Sequence, residues 1–210
     1  MKTIMLPNYI IGYGSLINMD SISKTLRNLD NSQINILLVE ILGMERGWFV
    51  ESSKVNYTAL GVVKKLISKF NGTLIGPLSK KQINELDKRE MKYRRIKIEK
   101  ENVKIIKQNI SIPRGSIWIY VAKNKKSSSN NCPIIQTYVD VIINSSLKLS
   151  KSFTEEFIKT TTNWNGIWIN DRRSPIYQRA MSLSRKEENK IDKILKTSIP
   201  KEFEMRKILY

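Results

Sequence analysis

The order of its apolar segments constrains this chain most. NYIIGYG, INILLVEILGM, TALGVVKKL, GTLIGPL, YRRIKIEKENVKIIK and GSIWIYVA follow one another through the first part of the sequence. They are rich in Ile, Val, Tyr and Thr, and several alternate, which predicts about six β-strands. Helical signals come mostly later. Ser79 with Gln82, Ser152 with Glu155, and Ser184 with Glu187 have the spacing of a capping box at a helix head. PIIQTYVDVIINSS adds a proline at its start and apolar residues at helical spacing. There is no internal repeat. Strands in succession and then mostly helices, without regular βαβ alternation, argue for an α+β domain whose sheet curls into a small barrel.

The chain has 210 residues, 40% of them hydrophobic, which suits one core with a decorated terminus. Residues 1–183 form the expected domain, and 184–210 a C-terminal helical extension packed on it. No apolar run approaches a membrane span, and Pro7 breaks the short N-terminal one, so the expectation is a cytoplasmic protein without a membrane partner. The net charge of +18 comes from lysines spread along the sequence rather than gathered, so no specific nucleic-acid partner is expected. AKNKKSSSNNCP, residues 122–133, reads as a mobile surface loop.

Chemistry is narrowed by what the composition lacks. With one cysteine, Cys132, and no histidine, an internal disulfide, a Cys-based zinc site and a histidine general base are all excluded. Acid–base work would fall to a carboxylate, Lys, Tyr or Cys. No metal or cofactor is expected.

One carboxylate stands out. On a helix from Ser79 to Glu90, the residues Ile83, Leu86 and Glu90 share one narrow sector, so Glu90 projects from the face that should be buried. Desolvation and the negative end of the helix dipole would both raise its pKa. The alternative is an ion pair with Arg94 or Arg95, or a helix ending one residue early with Glu90 in solvent. The second feature is NYIIGYGSL, where Gly12 and Gly14 flank Tyr13 between a strand and a helix start. Glycines there allow unusual backbone angles and close approach to a ligand, and amides at a helix start can bind an anion. An ordinary strand-to-helix turn would look the same.

YGSL at the end of the first strand, followed after a helix by LDKREMKY (86–93), resembles the gamma-glutamylcyclotransferase-like family, including its ChaC-type and AIG2-like branches. MERGW (44–48), TALGVV (58–63), NGTLIGPLS (71–79) and YRRIKI (93–98) fall in a similar order and spacing, as do residues 136–164 and NDRRSPIYQRA. The resemblance spans roughly residues 9–182. It implies a small mixed β-barrel with flanking helices and a metal-independent enzyme that cyclises a γ-glutamyl amide or peptide to 5-oxoproline, releasing an amine or amino acid. By position Glu90 corresponds to the general acid/base, and Tyr13, Gly14, Ser15 and Leu16 to the substrate-cradling loop. The partner implied is a small γ-glutamyl compound. Its leaving group, glutathione's included, and the oligomeric state stay open, and a non-catalytic module binding a γ-glutamyl ligand or an acidic partner is the alternative.

Other residues take lesser parts in this reading. Tyr93, just after Glu90, can bond to it or to substrate. Arg46 and Trp48 read as packing rather than pocket mouth, and Trp118 and Trp168 as core. Asp171 and Arg172 read as a pair fixing the C-terminal segment. Cys132 has no histidine to activate it.

Overall fold

The computed structural model describes residues 6–17, 19–26, 34–52, 56–106 and 110–208. Among these, seven strands form one mixed sheet: β1 (Asn8–Gly12), β2 (Asn35–Ser52), β3 (Tyr57–Leu78), β4 (Tyr93–Ile98), β5 (Val103–Ile105), β6 (Ser116–Ala122) and the short β8 (Thr161–Thr162). The order is β4-β6-β1-β3-β2-β5, with β8 beside β2. A second, three-stranded sheet joins β7 (Ile134–Ile135), β9 (Trp168–Asn170) and β10 (Lys207–Ile208).

The α+β class holds, but the expected barrel does not close. β4 and β5 lie at opposite ends of the strand order, and no pairing joins them among the described residues. Closure needs long edge strands that meet with a common stagger. Here β5 has three residues, already paired to Val39–Ile41 of β2, so it offers little to a further strand.

Two of the expected strands are one. TALGVVKKL and GTLIGPL run on as β3, antiparallel to β2 from Tyr57 beside Ser52 to Gly76 beside Asn35. A bulge marks the place where they seemed to part: Leu42 pairs with Lys69 and Met44 with Lys64, so Gly43 faces four residues. Gly43 has φ 73°, a left-handed conformation that a residue with a Cβ rarely adopts. Conversely, YRRIKIEKENVKIIK divides into β4 and β5 across a short 3-10 turn at Lys100–Asn102.

β1 lies in the middle, antiparallel to β3 and parallel to β6. A strand covered on both faces reads as a continuous apolar run, which is what NYIIG shows. Ile11 joins a cluster with Val39, Ile41 and Phe70 of the sheet, Val139 and Ile143 of α3 (Gln136–Leu149), Phe157 of α4 (Lys151–Lys159) and Leu195 of α5 (Arg185–Ser198). Ile10 points the other way, into a cluster with Ile83 and Leu86 of α2 (Lys80–Arg89) and Ile22 of α1 (Met19–Ser23). Helices therefore cover the sheet on both sides, and α6 (Pro200–Glu204) follows α5.

The capping boxes at Ser79 and Ser184 form as the spacing predicts. At α4 the N-cap is Ser150, whose hydroxyl accepts from Phe153 N at 3.0 Å; Ser152 stands inside the helix, and Glu155 pairs with Lys151. Pro133 does not begin α3, because Ile134 and Ile135 pair with β9 first. The cap of α3 comes from far away: Asp171 accepts from Thr137 N at 2.8 Å and from its hydroxyl at 2.5 Å. Asp171 and Arg172 thus fix the C-terminal region through separate partners, not as a pair. Arg172 bonds both oxygens of Asp140 on α3, at 2.7 and 2.8 Å, and both of Asp192 on α5, at 2.8 and 3.0 Å. The stretch 122–133 is largely exposed and is tied to β2 by Lys126 N to Phe49 O at 2.9 Å. Among the described residues, no helix is long and apolar enough to cross a membrane.

Candidate active site

The loop after β1 is built by close approach. A Cβ on Gly12 would lie 2.7 Å from Thr73 Oγ1 and 3.1 Å from the Leu16 carbonyl oxygen, so no larger residue fits there. Unusual backbone angles are not the reason for either glycine: positive φ among the described glycines falls at Gly43, Gly76 and Gly115. Beyond Gly14 the chain makes a 3-10 turn, Ser15–Ile17, closed by Ile17 N to Gly14 O at 2.9 Å. The amides of Ser15 and Leu16 precede that first bond and have no partner within the turn's own ladder.

The other half of the site comes from the end of α2. Ile83 and Leu86 are buried against the sheet, and Glu90 is the C-cap, its N–H reaching Leu86 O at 2.9 Å. Its side chain is 14% exposed, as the shared helical sector predicts. The ion pair exists, but neither Arg94 nor Arg95 makes it. Arg95 pairs with Asp87 at 2.8 Å and stacks on Trp118, which is half-buried rather than core, and Arg94 is exposed. Arg89 Nε meets Glu90 Oε1 at 2.9 Å.

Arg89 is the residue that sequence reasoning missed. Its Nη1 donates to Ser21 O at 2.9 Å and Thr25 Oγ1 at 3.0 Å, and its Nη2 to Ser15 Oγ at 2.9 Å and Ser21 Oγ at 3.0 Å. With Nε on Glu90, all five donors of the guanidinium are engaged. One side chain therefore braces the loop after β1, the α1 region and the carboxylate together.

Burial raises the Glu90 pKa above the usual carboxylate range, and the positive charges of Arg89 and Arg179 oppose that rise without cancelling it. Burial also lowers the Arg89 pKa, against the pull of Glu90, yet a guanidinium starts so far above neutrality that it stays charged.

Glu90, Tyr13, Gly14, Ser15, Leu16 and Tyr93 all line one small recess of about 20 Å³, together with Leu60, Tyr120 and Tyr138. The recess adjoins a chamber of about 410 Å³, which shares Ser15, Glu90, Tyr93 and Tyr138 and adds Tyr57, Arg89, Lys92, Tyr177 and Arg179 among its walls. Two tyrosine hydroxyls are spoken for: Tyr13 donates to Tyr120 O and Tyr93 to Leu60 O, each at 2.7 Å. Tyr93 therefore gives its proton to neither Glu90 nor a ligand. A hydroxyl that has given its proton to a carbonyl offers a neighbour only lone pairs. Burial holds Tyr13, Tyr93 and Tyr138 well above the usual phenol pKa, so they remain neutral. Tyr13 and Tyr93 therefore offer only lone pairs where they line the recess, which the Gly14–Leu16 segment lines as well.

Arg46 and Trp48 lie outside both cavities and are buried. Arg46 donates to Asn71 O, Phe157 O and Thr161 Oγ1 and stacks 3.5 Å above the Phe157 ring, joining β2, β3 and α4. Trp168 is core, and Cys132 is buried with its thiol pKa raised by that burial. Among the described residues no group of three or more Cys, Asp or Glu side chains is gathered as metal ligands.

No family model and no curated protein matches the sequence. Solved structures do match in shape. An uncharacterized human protein, loc79017, superposes with a TM-score of 0.55 at 13% identity, over 87% of this chain and 96% of its own. A gamma-glutamyl cyclotransferase gives 0.53 at 14% identity, over 88% and 98%. YkqA from Bacillus subtilis gives 0.52 at 17% identity, over 71% of this chain and 52% of its own. The chain has the gamma-glutamyl cyclotransferase-like fold that its YGSL and LDKREMKY motifs predict.

Proposed function

We propose that this protein cyclises γ-glutamyl amides or peptides to 5-oxoproline, with Glu90 as the general acid/base. The observation that carries the reading is one largely buried carboxylate, Glu90, with its side chain 14% exposed, sharing a recess with Gly14, Ser15 and Leu16.

The reaction needs no nucleophile from the enzyme. The substrate's α-amine nitrogen attacks its own γ-carbonyl carbon, and the carbonyl oxygen becomes an oxyanion. The proton shed by that nitrogen passes to the Glu90 carboxylate. As the tetrahedral intermediate collapses, the bond to the leaving nitrogen breaks, and Glu90 returns the proton there. 5-Oxoproline and a free amine or amino acid are the products. Holding amine and carbonyl in contact supplies the largest rate effect, the proton shuttle typically about 10²–10⁴-fold, and oxyanion donors a comparable factor.

Each predicted residue has a task here. The raised pKa of Glu90 suits a group that must take a proton and give it back. The lone pairs of Tyr13 and Tyr93, turned from donors to acceptors by their carbonyl partners, suit the amine. The amides of Gly14, Ser15 and Leu16 suit the oxyanion or the substrate carboxylate.

The test is incubation with a panel of γ-glutamyl amino acids, γ-glutamyl amines and glutathione, with chromatographic detection of 5-oxoproline. Glu90→Gln should lose roughly 10²–10⁴ in kcat/KM with substrate binding largely retained. Product from wild type that survives unchanged in Glu90→Gln would remove Glu90 from the chemistry. No product from any compound, with ligand binding intact, would leave a binding module.

A further inference from the structure

Midway along β3 the sheet throws out a short finger. Residues 65–68 stand opposite the single Gly43, so they cannot all lie in the ladder and leave it as a bulge. At that level β3 has β2 on one side and no paired strand on the other among the described residues. The finger carries Leu66 and Ile67, each 93% exposed, where the next large apolar residue described, Met205, reaches 66%. A bulge on an open edge is a common device against unwanted strand pairing, and charged residues serve it best. Two adjacent aliphatic side chains held in water work against that purpose and mark a surface that something covers.

The surroundings of the tip set the chemistry of its cover. Lys64, Lys65 and Lys69 flank it in sequence, and Lys125 comes to the same side from the 122–133 stretch, since it shares Glu45 with Lys65. The carboxylates lie underneath. Glu45 and Glu40 side chains are 8% and 26% exposed, against 48–57% for Lys65, Lys69 and Lys125, which pair with them. Glu156 of α4 also acts on Lys69, while Lys64 is exposed and has no ion-pair partner among the described residues. From Ser52 to Asn84 the sequence has no Asp or Glu at all. The collar therefore turns ammonium groups outward, toward an anionic cover.

Size decides what kind of cover fits. A stable protein–protein interface takes about 800 Å² from each partner, far more than one leucine and one isoleucine on a narrow finger present. A lipid surface needs no matching shape. Aliphatic tips enter the boundary between headgroups and chains, and lysine stems follow while their ammonium groups stay among the phosphates. The sequence carries no apolar run long enough to span a bilayer, but a contact that lies on the surface needs none.

We propose that the finger at residues 64–69 is a peripheral membrane contact. Leu66 and Ile67 insert into the headgroup region of an anionic lipid surface, and Lys64, Lys65, Lys69 and Lys125 meet its phosphates. The attachment is weak and reversible, and it does not depend on the chemistry at Glu90.

Co-sedimentation of the full chain with vesicles measures it. Each lysine near an anionic surface adds about 5-fold, so wild type should bind phosphatidylcholine vesicles containing about a third phosphatidylglycerol at least roughly 10-fold better than phosphatidylcholine alone. Binding should weaken as salt rises. Leu66→Ser/Ile67→Ser should lower partitioning to the anionic vesicles roughly 10-fold or more, with an unchanged unfolding midpoint because both side chains are exposed in the free protein. Lys64→Gln should cost about 5-fold, and Lys186→Gln, the same charge loss on exposed α5, far less. Wild type that stays in the supernatant would overturn the proposal. So would a double variant that sediments as well as wild type, which would assign the binding to the net charge of +18 alone. A wild-type dimer in sedimentation equilibrium that the double variant turns into a monomer would also overturn it and give the tip to a second copy of the chain.

Discussion

Replacing Arg89 by Met removes the brace between the two halves of the site while keeping most of the side chain's apolar stem. In the native protein the pair is little exposed, 6% for the Arg89 side chain and 14% for Glu90, and water compensates little of the loss. Breaking a buried pair from one side typically costs about 3–5 kcal/mol, since the remaining charge is left unanswered. For a chain of this length each kcal/mol lowers Tm by about 2–4 °C, so a drop of roughly 6–20 °C is expected. The deficit must also depend on pH. Glu90 already has a folded pKa above its ordinary 4.5 because burial outweighs its cations, and losing Arg89 raises it further. For a group whose folded pKa is raised, the stability it contributes is present below the unfolded pKa and lost as pH rises through the folded one. The deficit of Arg89→Met relative to wild type should therefore be smallest near pH 4.5 and grow toward neutrality. Urea unfolding of both proteins across that window measures it directly. A deficit that is flat with pH, or that grows toward acid, would refute the claim that Arg89 opposes the burial-driven rise of the Glu90 pKa. The acid limb of kcat/KM should move to higher pH in the same variant; no movement would count equally against it.

Other substitutions probe single contacts. Gly12→Ala drives a methyl to within 2.7 Å of Thr73 Oγ1 and 3.1 Å of Leu16 O and should cost about 1–3 kcal/mol by chemical denaturation. Gly14→Ala approaches the Tyr138 hydroxyl at 3.3 Å and Leu60 at 3.6 Å and beyond, so it should spare stability while narrowing the recess, seen as lost turnover with an unchanged unfolding midpoint. Arg172→Met strips the buried Asp140 carboxylate of its cation and should cost about 3–5 kcal/mol, with faster amide exchange in α5 than in α2.

Signals carried within a few residues were legible in the sequence. Ser79 and Gln82 name a helix start because both halves of the capping box lie three residues apart, and the sector shared by Ile83, Leu86 and Glu90 announces a carboxylate on the buried face. Ser152 misled because Ser150 offers the same hydroxyl two residues earlier, and only the direction of the chain decides which one meets Phe153 N. Arg89 was hidden for a different reason. Helical neighbours point about 100° apart, so adjacency to Glu90 carries no expectation of contact; the helix ends at Arg89, and Glu90 leaves helical geometry with ψ 32°. Tyr138, Tyr177 and Arg179 reach the cavities from α3 and from the segment after β9, and no local pattern encodes that convergence. Barrel closure failed likewise, because whether two edges meet depends on twist and strand length summed over the whole sheet.

The central place of β1 has a kinetic consequence. Its partners are residues 73–78 of β3 and 116–118 of β6, so the loop that follows it cannot be seated until chain more than a hundred residues downstream has joined the sheet. Pairings at such separations put a domain toward the slow, millisecond-to-second end of folding times. Until then, the apolar NYIIG strand has both faces and both hydrogen-bonding edges uncovered. Folding errors in this protein should start at its first strand, and slowing the entry of β6 should promote aggregation through that segment before it affects any other part of the molecule.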